Sequence, residues 1–313
     1  MKNKPLVSID CITYNHAPYI RQCIEGFLMQ KTDFDFEVLI HDDASTDGTQ
    51  EIIKEYELKY PHIIKPIYQT ENQWSKGISI SATYNFPRAQ GKYIAFCEGD
   101  DYWIDSYKLQ KQIDLLDSNK EFGLCYTKAN IYNQNQQKIE QNQLGWEVKD
   151  FKDLLLDNKI ATLTTIIKKD LLLQYISEIK PNEKKWLMAD YPMWLWYYAN
   201  SKIIFFNETT SVYRVLENSA SHSKDLKKNE NFSKSTRDIR LYFSNLYLKD
   251  KDFNEVIYNT YYRENVYFGE QARKRKHCLK YLKQISNKTK REKFKNIAYK
   301  NKLVFSLLRY FNF

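Results

Sequence analysis

The hydrophobic residues of the first ninety-odd positions switch repeatedly between two periods, and this switching constrains the fold more than any other property of the chain. Leu6-Val7-Ser8-Ile9-Asp10-Cys11-Ile12 reads as a mostly buried strand, after which Ile20, Cys23, Ile24, Phe27 and Leu28 recur at helical spacing behind Pro18. Phe36 to Ile40 is a second strand. Thr49 to Tyr60, with Ile52, Ile53 and Tyr56 inward and Pro61 as its stop, is a second helix, and Ile63 to Tyr68 and Lys92 to Cys97 are two further strands. Strand, helix, strand, helix, strand predicts an α/β fold built on a mainly parallel sheet with helices on both faces.

Past Trp103 the pattern loosens. Leu109, Ile113 and Leu116 predict a helix, Leu124 to Tyr126 a strand, and the Asn/Gln-rich stretch Asn130 to Gln143 a flexible surface loop. Ile160 to Ile167 and Ile203 to Phe206 read as strands, with a helix from Asp190 to Ala199 between them. From about Lys224 onward the chain reads as helical, tyrosine-rich and basic. Charge divides at the same place: residues 1–222 hold 25 Lys+Arg and 30 Asp+Glu, net −5, and residues 223–313 hold 23 and 9, net +14. Two regions are therefore expected, a 1–222 body and a helical, basic 223–313 extension suited to an anionic surface, although a solvated basic face reads the same way.

No apolar run approaches the roughly 20 residues that span a bilayer, and Met1 to Ile12 lacks a secretory pattern, so a cytoplasmic protein is expected. The five cysteines, Cys11, Cys23, Cys97, Cys125 and Cys278, are widely spaced and form no C-x-x-C pair, which argues against a disulfide scaffold or a zinc knuckle.

In open sheets of this kind ligands gather beyond the carboxyl ends of the strands. Those positions are unusually polar here: Thr13-Tyr14-Asn15 after the first strand, Asp42-Asp43-Ala44-Ser45-Thr46-Asp47-Gly48 after the second, and Glu98-Gly99-Asp100-Asp101-Tyr102-Trp103 after the fourth. Neither G-x-G-x-x-G nor G-x-x-x-x-G-K-[ST] can be drawn through the eight glycines, which removes the usual dehydrogenase and kinase readings, and H-E-x-x-H and G-x-S-x-G are absent too. Any diphosphate would need another source of countercharge. Glu98, Asp100 and Asp101 crowd one strand end, where unit charges about 4 Å apart interact by several kcal/mol at intermediate dielectric, and Mg²⁺ or Mn²⁺ would relieve them. Each acid alone also reads as a cap or a solvated turn. Asp42 and Asp43 admit two readings as well, bonding loop amides or accepting from a pyrimidine imide N–H, and Tyr14 either packs or lies beside such a base.

The Val7-to-Asn15 segment ending in Thr-Tyr-Asn, the Asp-Asp-Ala-Ser-Thr-Asp-Gly-Thr run at 42–49, Gly91-Lys92-Tyr93-Ile94-Ala95 and the Glu-Gly-Asp-Asp-Tyr-Trp run at 98–103 resemble family 2 glycosyltransferases with the Rossmann-like GT-A fold. The resemblance is strong over residues 5 to 105, looser to about 222, and does not extend to the C-terminal ninety residues. It implies that Thr13, Tyr14 and Asp43 hold the uracil of a UDP-sugar, with Asp42 beside them and Asn15 in the same nucleotide-sugar site. Glu98 falls at the first acid of the D-x-D pattern, where most relatives carry Asp, and Asp100 falls at the metal-binding acid with Asp101 against sugar or metal. The family's arginine falls on Ala82 by spacing, with Lys76 or Arg88 as substitutes. Asp190, opening a helix ahead of Pro192, falls where inverting members keep the general base; it also reads as a helix cap. Tyr213-Arg214, followed by Asn218, Ser219, Ser221 and His222, resembles the late segment that closes over the diphosphate, which would give Arg214 a phosphate to bind and His222 a minor claim on the metal.

These expectations combine into an inverting, metal-dependent transfer of a sugar from a UDP-sugar donor to a hydroxyl of a saccharide or lipid-linked saccharide acceptor in surface polysaccharide synthesis. Between Gln271 and Lys302 stand 13 Lys+Arg and one acid, Glu292, followed by the apolar Leu303 to Phe311, so 271–313 is expected to meet an anionic membrane or to dock on the domain or a partner chain. An oligomer stays compatible with the sequence. The competing readings are a non-catalytic nucleotide-fold protein gripping nucleic acid or membrane through this arm, with nucleic acid the less favoured partner, and a nucleotidyltransferase, for which no triphosphate motif is present.

Overall fold

The computed structural model describes residues 4–216 and 225–310. The chain divides into two compact units, Met1–Lys185 with Ala189–Glu217, and Trp186–Met188 with Asn218–Phe313.

The first unit runs β1 (Val7–Thr13), α1 (Ile20–Leu28), β2 (Phe36–Asp42), α2 (Thr49–Lys59), β3 (Ile64–Tyr68), α3 (Phe86–Arg88), β4 (Tyr93–Phe96), β5 (Tyr102–Trp103), α4 (Lys108–Ser118), β6 (Phe122–Asn133), β7 (Lys138–Leu144), α5 (Phe151–Leu156), β8 (Ile166–Lys168), α6 (Lys169–Ile179), α7 (Asp190–Asn200) and β9 (Lys202–Val215). Its strands form one sheet in the order β3-β2-β1-β4-β8-β6-β9-β5, with β7 paired to β6. β1 lies between β2 and β4, parallel to both, so it is covered on each edge and its Val7, Ile9 and Cys11 are wholly buried. Ile20, Ile24 and Phe27 of α1, Ile53 of α2 and Leu109 and Leu116 of α4 join that core, each such side chain contributing roughly 1.5–3 kcal/mol on burial. Gly91 is required by close packing: a Cβ there would stand 2.5 Å from the Ser8 backbone nitrogen.

The half of the sheet carrying β1 to β4 follows the predicted parallel order. Beyond it the sheet becomes mixed, because β8 returns antiparallel to both β4 and β6, while β6 and β9 run parallel and β5 pairs antiparallel with β9. Three local expectations are corrected. The Asn130 to Gln143 stretch is no loop but the arms of a hairpin, β6 and β7, turned at Gln134 to Gln137. Its polar side chains bond across strands, Gln143 Nε2 donating to Asn130 Oδ1 (2.8 Å) and Thr209 Oγ1 (2.9 Å), so pairing with β9 overrides weak β propensity. Within Ile160 to Ile167 only the end is strand; Thr162–Thr164 coil into a 3₁₀ turn because Thr164 and Thr165 donate their hydroxyls back to the Ala161 carbonyl. The Ile203 to Phe206 strand extends to the fourteen residues of β9.

The second unit is helical: α8 (Leu226–Phe243), α9 (Lys251–Gln271), α10 (Arg275–Gln284), α11 (Lys290–Ala298) and α12 (Lys302–Tyr310). Its core gathers Tyr261, Cys278, Tyr281, Leu282, Ile285, Tyr299 and Phe305, and α11 starts with a capping box between Thr289 and Glu292. Among the described residues no helix is long and apolar enough to cross a membrane.

Candidate active site

Register brings the three polar loops together. Thr13 ends β1 directly beside Asp42 at the end of β2, and Gly99 donates its backbone N–H to the Ile12 carbonyl (2.9 Å), which sets the run after β4 against the other side of β1. Gly99 is needed there: a Cβ would fall 2.6 Å from Thr13 Oγ1.

The first two loops are laced to each other. Asn15, with φ of 56°, donates its backbone N–H to Ser45 Oγ (2.8 Å) and accepts at Oδ1 from the Thr46 N–H (2.9 Å). Asp47 accepts from the Ala17 N–H (3.0 Å) at one oxygen and from the Thr49 hydroxyl (2.6 Å) at the other. Asn15 and Asp47 therefore spend their polar atoms on the loops. Asp43 does likewise: its two oxygens accept the backbone N–H groups of Gln73 (2.7 Å) and Trp74 (3.0 Å), which shapes a turn whose indole is 60% exposed. Asp42 is different. Its Oδ1 accepts from Ser45 N–H (3.0 Å) and Gln50 Nε2 (2.7 Å), while its Oδ2 and Thr13 Oγ1 are buried with no hydrogen-bond partner among the described residues. Tyr14 projects outward beside them, 46% exposed.

The acids of the third loop stand under mutual repulsion. Burial, then Asp100, with smaller contributions from Asp190 and Asp10, pushes the Glu98 carboxyl up to about 8. Burial followed by the charges of Asp100 and Glu98 holds Asp101 well above the usual carboxylate range, even though its Oδ1 accepts the Arg214 backbone N–H at 2.7 Å. His16 faces the same group, its Nε2 3.9 Å from Asp100 Oδ2; burial lowers its pKa against the pull of Asp100, Asp47 and Asp42. Asp190 opens α7, and the Thr162 hydroxyl donates to its Oδ2 at 2.8 Å. Because Asp190 acts on Glu98, the acid of α7 and the acids beyond β4 share one electrostatic environment.

Arg214, expected at a phosphate, has three of its guanidinium donors engaged within the fold. It is buried, and its guanidinium donates to the Asp100 carbonyl (2.7 Å), Gln134 Oε1 (2.8 Å) and Gln22 Oε1 (2.8 Å) amid the rings of Tyr19, Tyr102 and Tyr132. It braces the acidic run. Of the substitutes for the family's arginine, Arg88 donates to the carbonyls of Lys65 (2.7 Å) and Ile40 (3.1 Å), Lys76 pairs with Glu71, and Ala82 sits in a π-helical turn. Asn218, Ser219, Ser221 and His222 lie outside the described residues.

Three contributors escaped the sequence reading. His16 follows Thr-Tyr-Asn directly, Thr162 holds Asp190 from 28 positions upstream, and Asp10, its carboxyl raised to about 6 by burial, accepts from Asn85 Nδ2 (2.6 Å) and adds to the charge that raises Glu98. Only His16 had a signal, its adjacency to the polar loop. Among the described residues no three His, Cys, Asp or Glu close around a metal by themselves. The crowded, repelling carboxylates of Glu98, Asp100 and Asp101 fit instead an ion whose shell is completed by oxygens of a ligand.

A family model described as glycosyl transferase family 2 matches residues 8–170. The chain is 30% identical over 223 residues, 71% of its length and 83% of the relative's, to the putative teichuronic acid biosynthesis glycosyltransferase TuaG of Bacillus subtilis. An uncharacterized protein of Mycobacterium tuberculosis is 40% identical over 158 residues, covering 50% of this chain and 43% of that relative, so the match spans less than half of its length. The UDP-Glc:alpha-D-GlcNAc-diphosphoundecaprenol beta-1,3-glucosyltransferase WfaP of Escherichia coli is 35% identical over 127 residues, 41% of this chain and 46% of WfaP. Among solved structures, Staphylococcus aureus TarS in complex with UDP-GlcNAc matches with a TM-score of 0.55 at 18% identity, over 97% of this chain and 91% of that one. The Pyrobaculum calidifontis mannosyltransferase PcManGT, in complex with GDP-Man and Mn²⁺, matches with a TM-score of 0.54 at 13% identity, over 99% and 88%. At these identities the likeness is one of fold.

Proposed function

Since the chain belongs to glycosyl transferase family 2, we propose that it moves a sugar from a UDP-sugar to a hydroxyl of a saccharide or lipid-linked saccharide during surface polysaccharide synthesis, with inversion at the anomeric carbon. The observation that carries this reading is the gathering of the polar loops after β1, β2 and β4 at one edge of the sheet, with Asp190 adding to the charge felt by Glu98, since transfer needs a base on one side of the anomeric carbon and charge control on the other. The teichuronic acid and lipid-linked assignments of TuaG and WfaP support the acceptor class, and the UDP-GlcNAc complex of TarS supports the donor class.

In this reading Thr13, Tyr14 and Asp42 receive the base. Thr13 Oγ1 and Asp42 Oδ2 are buried oxygens that gain a partner on binding, Asp42 by accepting the uracil imide N–H. Asn15 and Asp43 act by holding the loops in shape. Glu98 lies toward the ribose. Asp100 and Asp101 would hold Mn²⁺ or Mg²⁺, whose charge offsets that of the diphosphate. Arg214 keeps the Asp100 backbone in position. Thr162 occupies Oδ2 of Asp190, which leaves Oδ1 to take the acceptor's hydroxyl proton. As the O–H bond breaks, the acceptor oxygen bonds to the anomeric carbon, and the bond to the diphosphate oxygen breaks with its electron pair leaving on UDP.

The test is Asp190→Asn assayed for UDP release and product anomer with Mn²⁺ present. Turnover should fall by orders of magnitude while UDP-sugar binding stays nearly unchanged; wild-type turnover, or a retained anomer in the native enzyme, would overturn the mechanism.

A further inference from the structure

We infer that the outward surface of α11 and α12 is a docking surface for an anionic lipid bilayer. This proposal concerns the helical unit and does not rest on the donor or the reaction.

Tyr299 and Phe305 turn into the core of the unit, their rings 4.7 Å apart in an edge-to-face pair. Four large apolar side chains remain on the surface: Phe294 at 48% exposure, Ile297 at 69%, Leu303 at 75% and Leu307 at 60%. They fall three and four residues apart within their helices, so each helix presents its pair on one face. Lys290 and Lys293 of α11, Lys302 of α12 and Lys300 in the turn between them are exposed. Phe305 thus packs within the helical unit itself, while Leu303 and Leu307 stay exposed.

Charge and side-chain type identify the occupant. A second copy would bring a region of net charge +14 against itself. Single-stranded nucleic acid binds through rings that stack on bases, and three of the four exposed groups are aliphatic. An anionic bilayer supplies both halves of the complement, acidic headgroups for the lysines and an acyl boundary for the leucines and isoleucine.

The experiment sediments the full chain with vesicles of phosphatidylcholine alone and of phosphatidylcholine mixed with phosphatidylglycerol, at low and high salt. Binding to the mixed vesicles at low salt only is expected. The Leu303→Ser/Leu307→Ser variant should lose it, and each of Lys290→Gln, Lys293→Gln, Lys300→Gln and Lys302→Gln should weaken it about fivefold, the equivalent of about 1 kcal/mol per cation. Circular dichroism checks that helix content is kept; Ile297→Ser replaces the leucine pair if it is not. Failure to bind mixed vesicles, or binding unchanged in these variants, would overturn the proposal. So would self-association abolished by the leucine pair, or preference for single-stranded RNA over vesicles.

Discussion

Lys108 offers a pH-resolved test of how the first unit is packed. It is wholly buried, donates from Nζ to Gln112 Oε1 (2.6 Å) and the Thr164 carbonyl (3.3 Å), and stands 4.5 Å over the Trp103 ring at the end of the acidic run. Burial pulls its pKa down from 10.5 to about 7. A depressed lysine stabilises its neutral form in the fold. The unfolded chain keeps a proton that the native state has released between about pH 7 and 10.5, so stability rises with pH across that window. At about 1.36 kcal/mol per pH unit once the native amine is neutral, integration from about pH 7 to 9 gives about 2 kcal/mol. Lys108→Met removes this titration and leaves Gln112 Oε1 without its donor, a pH-independent cost of about 1–3 kcal/mol. Urea unfolding followed by tryptophan fluorescence measures both proteins, since Trp74, Trp103, Trp146, Trp194 and Trp196 lie in this unit. The stability of wild type relative to the variant should climb by about 2 kcal/mol between about pH 7 and 9. A flat difference would show that the amine titrates as in water and would refute the reasoning.

Arg214→Met should lower turnover about a hundredfold by releasing the Asp100 carbonyl, the scale of an ångström of misplacement, and Arg214→Lys should not restore it because one ammonium cannot span the three acceptors; steady-state kinetics decides. Thr162→Val keeps shape but strips Asp190 of its 2.8 Å donor, so kcat should fall about ten- to hundredfold with KM for the donor unchanged. Gly99→Ala drives a Cβ to 2.6 Å from Thr13 Oγ1, and urea unfolding should register a loss of about 1–3 kcal/mol.

Legibility in the sequence followed the kind of contact each residue makes. β1, β2 and β4 could be read because parallel strands buried on both faces are near-continuous apolar runs, and their ends named the loops of the site. The β6–β7 hairpin could not, because Asn and Gln reveal their strand habit only once β9 supplies partners. Residue type also marked Asn15, Asp43 and Arg214 as polar candidates, but not as struts: their partners stand 30 to 192 positions away, a separation no local pattern encodes. Asp42 keeps one buried oxygen without a hydrogen-bond partner among the described residues, which residue type alone did not reveal either.

The order of synthesis gives the β9 pairing a further meaning. The first two loops can lace together once α2 has emerged, yet the Arg214 bonds to the Asp100 carbonyl and the Asp101 carboxylate form only when β9 inserts between β6 and β5. A nascent chain halted before β9 would therefore carry every acid of the candidate site without the strut that braces the run after β4.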